Sequence, residues 1–148
     1  MSHVRDQILD SIVLAVTGLP STGSRVFDSR AYPMARADLP GINVRFLEAT
    51  ERSQAGDFPR PRILERICRI QVVGNVRATT DYRKDANEIA AEIEAALGVA
   101  AAGAPAKYLT LIATELAIAG SGEQPVAEIT LTYEAFYLTP ENDATSAK

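Results

Sequence analysis

Tyr108-Leu-Thr-Leu-Ile-Ala-Thr-Glu-Leu-Ala-Ile-Ala119 and Val126-Ala-Glu-Ile-Thr-Leu-Thr-Tyr-Glu-Ala-Phe-Tyr-Leu138 are two β-type runs. Gly120-Ser-Gly-Glu-Gln-Pro125 joins them, and a Gly/Pro-marked connection of this length between two such runs is a hairpin signal. In the second run Ala127, Ile129, Leu131, Tyr133, Ala135 and Tyr137 alternate with Glu128, Thr130, Thr132 and Glu134, the pattern of an antiparallel strand with one buried face. The first run, from Tyr108 to Ala119, is apolar at both parities. That suits either an interior strand or one covered by a neighbouring subunit.

Working upstream, the segment Tyr82 to Leu97 repeats Tyr82, Ala86, Ile89, Ala90, Ile93 and Leu97 at helical spacing. Thr79 or Thr80 is placed to cap it, and Gly98 to end it at C′. Its polar face is acidic, with Asp85, Glu88, Glu92 and Glu94. Val99 to Ala106 is an Ala/Gly linker. Before the helix, Ile63 to Val76 reads as a long strand with Leu64, Cys68, Ile70, Val72 and Val76 on one face. Ile42 to Thr50 is another strand, and Arg25 to Tyr32 a shorter one. The chain opens on an amphipathic helix over residues 3–18, with Ser2 as N-cap and Gly18 and Pro20 as its stop. The expected order is α-β-β-β-α-β-β. This is an α+β fold, mainly antiparallel, with two helices on one face of the sheet. Residues 1–139 form a single domain. Residues 140–148 have nothing apolar to bury and are expected to be a flexible tail.

Glu51 to Arg62 lacks any apolar pattern, holds Gly56, Pro59 and Pro61, and is expected to be a long loop of the functional or mobile kind. Phe58 is a lone aromatic within it, either tucked onto its own domain or anchoring a partner. Candidate interface residues are therefore Arg52, Asp57, Phe58, Arg60 and Arg62 from this loop, with Tyr108, Thr110, Glu128 and Glu134 from the hairpin.

A chain of 148 residues with 47% apolar residues is long enough for one core. The net charge is −4 but unevenly placed. Residues 1–75 carry ten Arg against eight Asp and Glu, a balance of +2, and residues 76–148 carry five Lys and Arg against eleven Asp and Glu, a balance of −6. Such asymmetry either steers self-association, one subunit's basic side meeting its neighbour's acidic side, or is mixed away by folding. The overall acidity argues against DNA binding as the main role. Twelve of the fifteen basic residues are Arg. Its planar fork suits interface contacts, although a GC-rich coding bias gives the same count. The lone Cys68 reads as a buried small hydrophobe, and no run of about 18 apolar residues marks a membrane span.

Catalytic patterns are missing from the sequence. The one histidine, His3, sits at a terminus expected to be mobile, so neither a triad nor a zinc site can be assembled. The segment Thr17 to Ser24 lacks the lysine of a phosphate loop. Glu88 and Glu92 are a helical carboxylate pair without a histidine partner. An enzyme would have to rest on Glu115 or Glu134 alone as general base. No catalytic, metal or cofactor residue is assigned. A small-molecule module would use an uncovered sheet face, with Tyr133 and Tyr137 as the place to look.

Several segments together resemble the tail-terminator family of long-tailed bacteriophages. They are the opening Val4-Arg-Asp-Gln-Ile-Leu-Asp-Ser-Ile12, the extended Leu39-Pro-Gly-Ile-Asn-Val44, the helix Ala86 to Glu94, Thr114-Glu115, and Gln124-Pro125-Val126 through Thr132-Tyr133-Glu134. The resemblance implies a structural virion protein, not an enzyme. It implies a homo-oligomeric ring, hexameric, seated on the last ring of tail-tube protein, where it stops polymerisation and offers a surface to the head-tail connector. DNA would pass through without specific binding, and no cofactor is implied. Such a protein is made in the bacterial host cytoplasm and ends in the virion at the neck end of the tail. A neck connector, another minor tail protein or a small-molecule binding module are the alternatives.

Overall fold

A computed structural model describes residues 2–28, 39–47, 52–55, 60–78, 81–100, 105–119 and 125–148. The elements in order are α1 (Val4–Val16), β1 (Val26–Asp28), β2 (Gly41–Phe46), β3 (Arg52–Ala55), β4 (Ile63–Arg77), α2 (Tyr82–Ala100), β5 (Tyr108–Ala119) and β6 (Val126–Pro140). The fold is α+β, in the expected order with one short strand, β3, added. All six strands form one sheet in the order β1-β2-β4-β6-β5, with β3 beside β2 on the same flank of β4. Among the described residues, only β1 and β2 pair parallel. Residues 57, 58, 79, 80 and 120–124, where the sequence placed loop, cap and turn features, lie outside the described residues.

The core forms where the apolar stripes of both helices meet one face of the sheet. Val4, Ile8, Leu9, Ile12 and Val16 bury the inner side of α1, and Ala86, Ile89, Ala90, Ile93 and Leu97 that of α2. The sheet supplies Ile42, Val44, Ile70, Val72 and the odd-numbered series of β6 from Ala127 to Tyr137. Each large side chain removed from water in this way stabilises the fold by about 1.5–3 kcal/mol. Leu131 and Tyr137 are fully buried and Tyr133 nearly so. Helix α1 lies over the β1 and β2 side of the sheet, and α2 over β4 and β6.

Several local expectations are corrected. His3, not Ser2, caps α1: its Nδ1 accepts from the Arg5 amide at 3.2 Å, and its Nε2 lies 3.2 Å from Arg66 Nη1. His3 is thus built into the fold. Gly98 does not end α2, which runs on to Ala100. Arg52 begins a strand instead of a loop, since β3 pairs with the long arm of β4 that extends past β2. Gly18 turns the chain after α1 at φ +88°, where a side chain would be strained.

Residues 141–148 fold back instead of trailing off. The Glu141 amide donates to the Arg62 carbonyl at 2.8 Å, and the Lys148 amide to the Leu138 carbonyl at 2.9 Å. The Ala144 carbonyl accepts from the Val4 amide at 2.8 Å, satisfying one of the orphan donors at the start of α1. The Thr145 carbonyl takes the Gln7 side-chain amide at 3.0 Å. Composition alone missed this segment because it is held by hydrogen bonds and charge, not by apolar burial.

Candidate functional site

The two faces of the sheet differ in kind. One lies under the helices. The other is a polar ladder built by cross-strand pairs. On it Arg45 donates to Gln71 at 3.1 Å, Gln54 to Glu65 at 2.9 Å, and Arg69 lies 3.5 Å from Glu134. Thr110 stands opposite Glu134 in the register, so Arg69, Glu134 and Thr110 share one row. In the next row Tyr108 is opposite Phe136, their ring centres 6.0 Å apart and tilted by 32°. That row continues through Ile67 to the Arg52 position of β3. Glu128 lies on the same face but near the far end of β6, opposite Asn75 and Ala117.

The structure thus brings together Tyr108, Thr110 and Glu134 from the sequence candidates and leaves Glu128 apart. Arg60 and Arg62 go elsewhere. Both reach Glu141 in the C-terminal segment, at 3.6 and 2.9 Å. The Arg62 hydrogen bond, helped by the charges of Arg62 and Arg60, holds the Glu141 carboxyl below the usual range. Asp143 is lowered too, by hydrogen bonds from the Thr145 side chain and amide and from Ser146. These arginines secure the chain end. Asp57 and Phe58 lie outside the described residues.

The feature that stands out is strand β5. Among the described residues it is the edge of the sheet, twelve residues long and paired only with β6. A bulge at Ile112 shifts its register between Leu111 and Ala113. Opposite residues of an antiparallel pair share a face, so Leu109 and Leu111 before the bulge, and Leu116 and Ile118 after it, all fall on the helix side. The apparent two-faced apolar run is therefore one apolar face that changes parity once. The bulge also keeps Glu115 off that side, opposite Thr130 on the polar face.

Only half of this apolar face is covered. Leu109 and Leu111 pack against the core, whereas Leu116 is 38% and Ile118 54% exposed. Ile112 and Tyr108 are exposed as well, at 46% and 67%. Isolated exposed apolar residues are ordinary, but a run of them on a long unpaired strand edge is a site for further pairing. Sequence reading had named Tyr108 and Thr110 on this strand but not Ile112, Leu116 or Ile118. Their signal was the lack of polar alternation after Leu111.

Elsewhere a cleft of about 440 Å³ opens beside the start of α2, lined by Pro40, Val76, Arg77, Asp85, Glu88 and Ile89. Ser21 at its rim donates its hydroxyl and its amide to Glu92, so the carboxylate fastens the loop after α1 to α2. No group of three His, Cys, Asp or Glu able to hold a metal ion occurs among the described residues. Cys68 is buried in β4. Tyr133 and Tyr137 lie under the helices instead of on an open face, so the surface expected to take a small molecule is core. Burial, and the nearby charge of Glu94, push the Tyr133 phenol up to about 12. Among the described residues, no helix is long and apolar enough to cross a membrane. Comparison with protein-family models and with characterised proteins finds no match to this chain.

Proposed function

We propose that this chain is a structural, ring-forming protein of the phage tail-terminator kind, closing the end of a tail tube and meeting the head connector. The observation that carries the reading is the edge of β5, which leaves Ile112, Leu116 and Ile118 exposed. A lone domain gains nothing from such an edge and risks aggregation, whereas an assembling one uses it. Contacts between copies that run head to tail close into a ring if the rotation permits. The polar ladder and the acids of β5 and β6 suit a surface past which DNA moves without adhering.

The test is to add the purified chain to tail-tube protein while it polymerises. The expected result is shorter tubes carrying a ring of this protein at one end under the electron microscope. Tubes of unchanged length with bare ends would contradict the reading.

A further inference from the structure

The geometry points to what the open edge of β5 takes: an extended segment of a partner protein in which apolar residues alternate with lysine or arginine, added as a further strand along residues 113–119. The inference rests on the assembly reading above and names the chemistry of the partner at that same edge.

The length of the site follows from the bulge. At Ile112 the ladder to β6 breaks step, and a bulge bends its strand and interrupts pairing across it. Beyond it β5 pairs with β6 residue for residue, from Ala113 opposite Thr132 to Ala119 opposite Val126. Residues 112–118 are all exposed, at both parities, whereas Leu109 and Leu111 before the bulge are partly buried against the core. Among the described residues, no strand meets the other side of β5. The stretch after the bulge is thus a regular strand with its outer row of backbone N–H and C=O groups open, the form that takes an added strand.

The two faces set the partner's alternation. On the helix side Leu116 and Ile118 are exposed, so every second residue of an added strand lies beside them and removes their surface from water when it is apolar. On the opposite side Glu115 stands between Ala113 and Ala117, and Glu128 of β6 is opposite Ala117. Glu115 and Glu128 are therefore diagonal neighbours on one face, with only the small Ala117 between Glu128 and the edge.

Charge selects the other half of the alternation. Among the described residues, ion pairs join Arg60 and Arg62 to Glu141 and Arg69 to Glu134, and none reaches Glu115 or Glu128. Arg77, diagonal to Glu128 on β4, pairs with neither and lines the cleft beside α2. Two carboxylates held as diagonal neighbours repel one another, and a lysine or arginine arriving on their face from an added strand removes that repulsion. A second β5, added across a two-fold axis normal to the sheet, would instead bring two more carboxylates to the same face. The charge thus favours a basic segment over a repeat of this edge.

The test uses the full chain and peptides as long as the exposed run, alternating valine with lysine, with glutamate or with serine. At low salt the valine–lysine peptide should bind about tenfold more tightly than the valine–glutamate one, read by fluorescence anisotropy. It should also slow hydrogen exchange at alternate amides of residues 113–118. The double variant Glu115→Lys with Glu128→Lys should invert the order of the peptides. Equal binding of the lysine and glutamate peptides, an order that the charge swap does not move, or binding without protection of the edge amides would each overturn the proposal. Protection of the same amides in the chain alone, growing with its concentration, would give the edge to a second copy, overturning the proposal and leaving the ring reading standing. A chain that binds no peptide yet still caps tail tubes would likewise overturn this contact alone. A chain that binds the valine–lysine peptide as expected but leaves tubes bare would support the contact and overturn the ring reading.

Discussion

Gly74 sits where helix α2 comes closest to the sheet. A Cβ there would lie 2.9 Å from Cγ2 of Ile89 and 3.1 Å from Cγ2 of Ile129. Both atoms belong to tightly buried β-branched side chains, so neither yields cheaply. Gly74→Ala should therefore cost about 1–3 kcal/mol, read from urea unfolding. Gly98 is the contrast. It lies inside α2 with open space around its Cα, so Gly98→Ala should stabilise by up to about 1 kcal/mol. Titration has its own signature at this scale. The Tyr133 phenol is raised in the folded state, so its contribution is complete below the ordinary tyrosine value of about 10 and is lost as pH rises toward about 12. Glu141 and Asp143 are lowered, so theirs is present at neutral pH and lost as pH falls below about 4. Loosening of the chain end on acidification, followed by the amide signals of residues 141–148, should precede global unfolding. Simultaneous loss of both would count against this order.

Elements differ in how much of them the sequence reveals, and the reason is burial. β6 is legible residue by residue because one face is entirely core, which forces strict alternation. Both helices are legible through their apolar stripes. β3 is not, since Arg-Ser-Gln-Ala has no apolar pattern and exists as a strand only because the overhanging arm of β4 pairs with it. The phase of β5 is also hidden. A single bulged residue, Ile112, moves the apolar series from odd to even positions, and a linear reading sees this as two apolar faces. The candidate interface was legible in part for the same reason, since Tyr108 and Thr110 precede the bulge while Leu116 and Ile118 follow it. The C-terminal segment was misread because hydrogen bonding to Val4, Gln7, Arg62 and Leu138 leaves no compositional mark. Truncation after Pro140 removes those bonds and frees the segment's entropy. It should lower stability by about 1–3 kcal/mol, seen as a lower denaturant midpoint. An unchanged midpoint would mean that the segment contributes no stability.

At the scale of the whole molecule, one fact governs the rest: the sheet has two unlike ends. At one, α1 covers the short strand β1, and β2 beside it carries Arg45. At the other, a twelve-residue strand projects beyond the helix layer beside three glutamates. The charge asymmetry visible in the sequence is partly mixed by folding, since Arg60 and Arg62 reach Glu141 and Arg69 lies beside Glu134. In the proposed reading, copies of the chain join head to tail, and closure yields a ring. The single most direct test is the mass of the purified chain in solution, measured up to millimolar concentration and again with tail-tube protein. The expected result is a discrete closed oligomer of six copies, formed alone at high concentration or on the tube. A strictly monomeric chain under both conditions would contradict it.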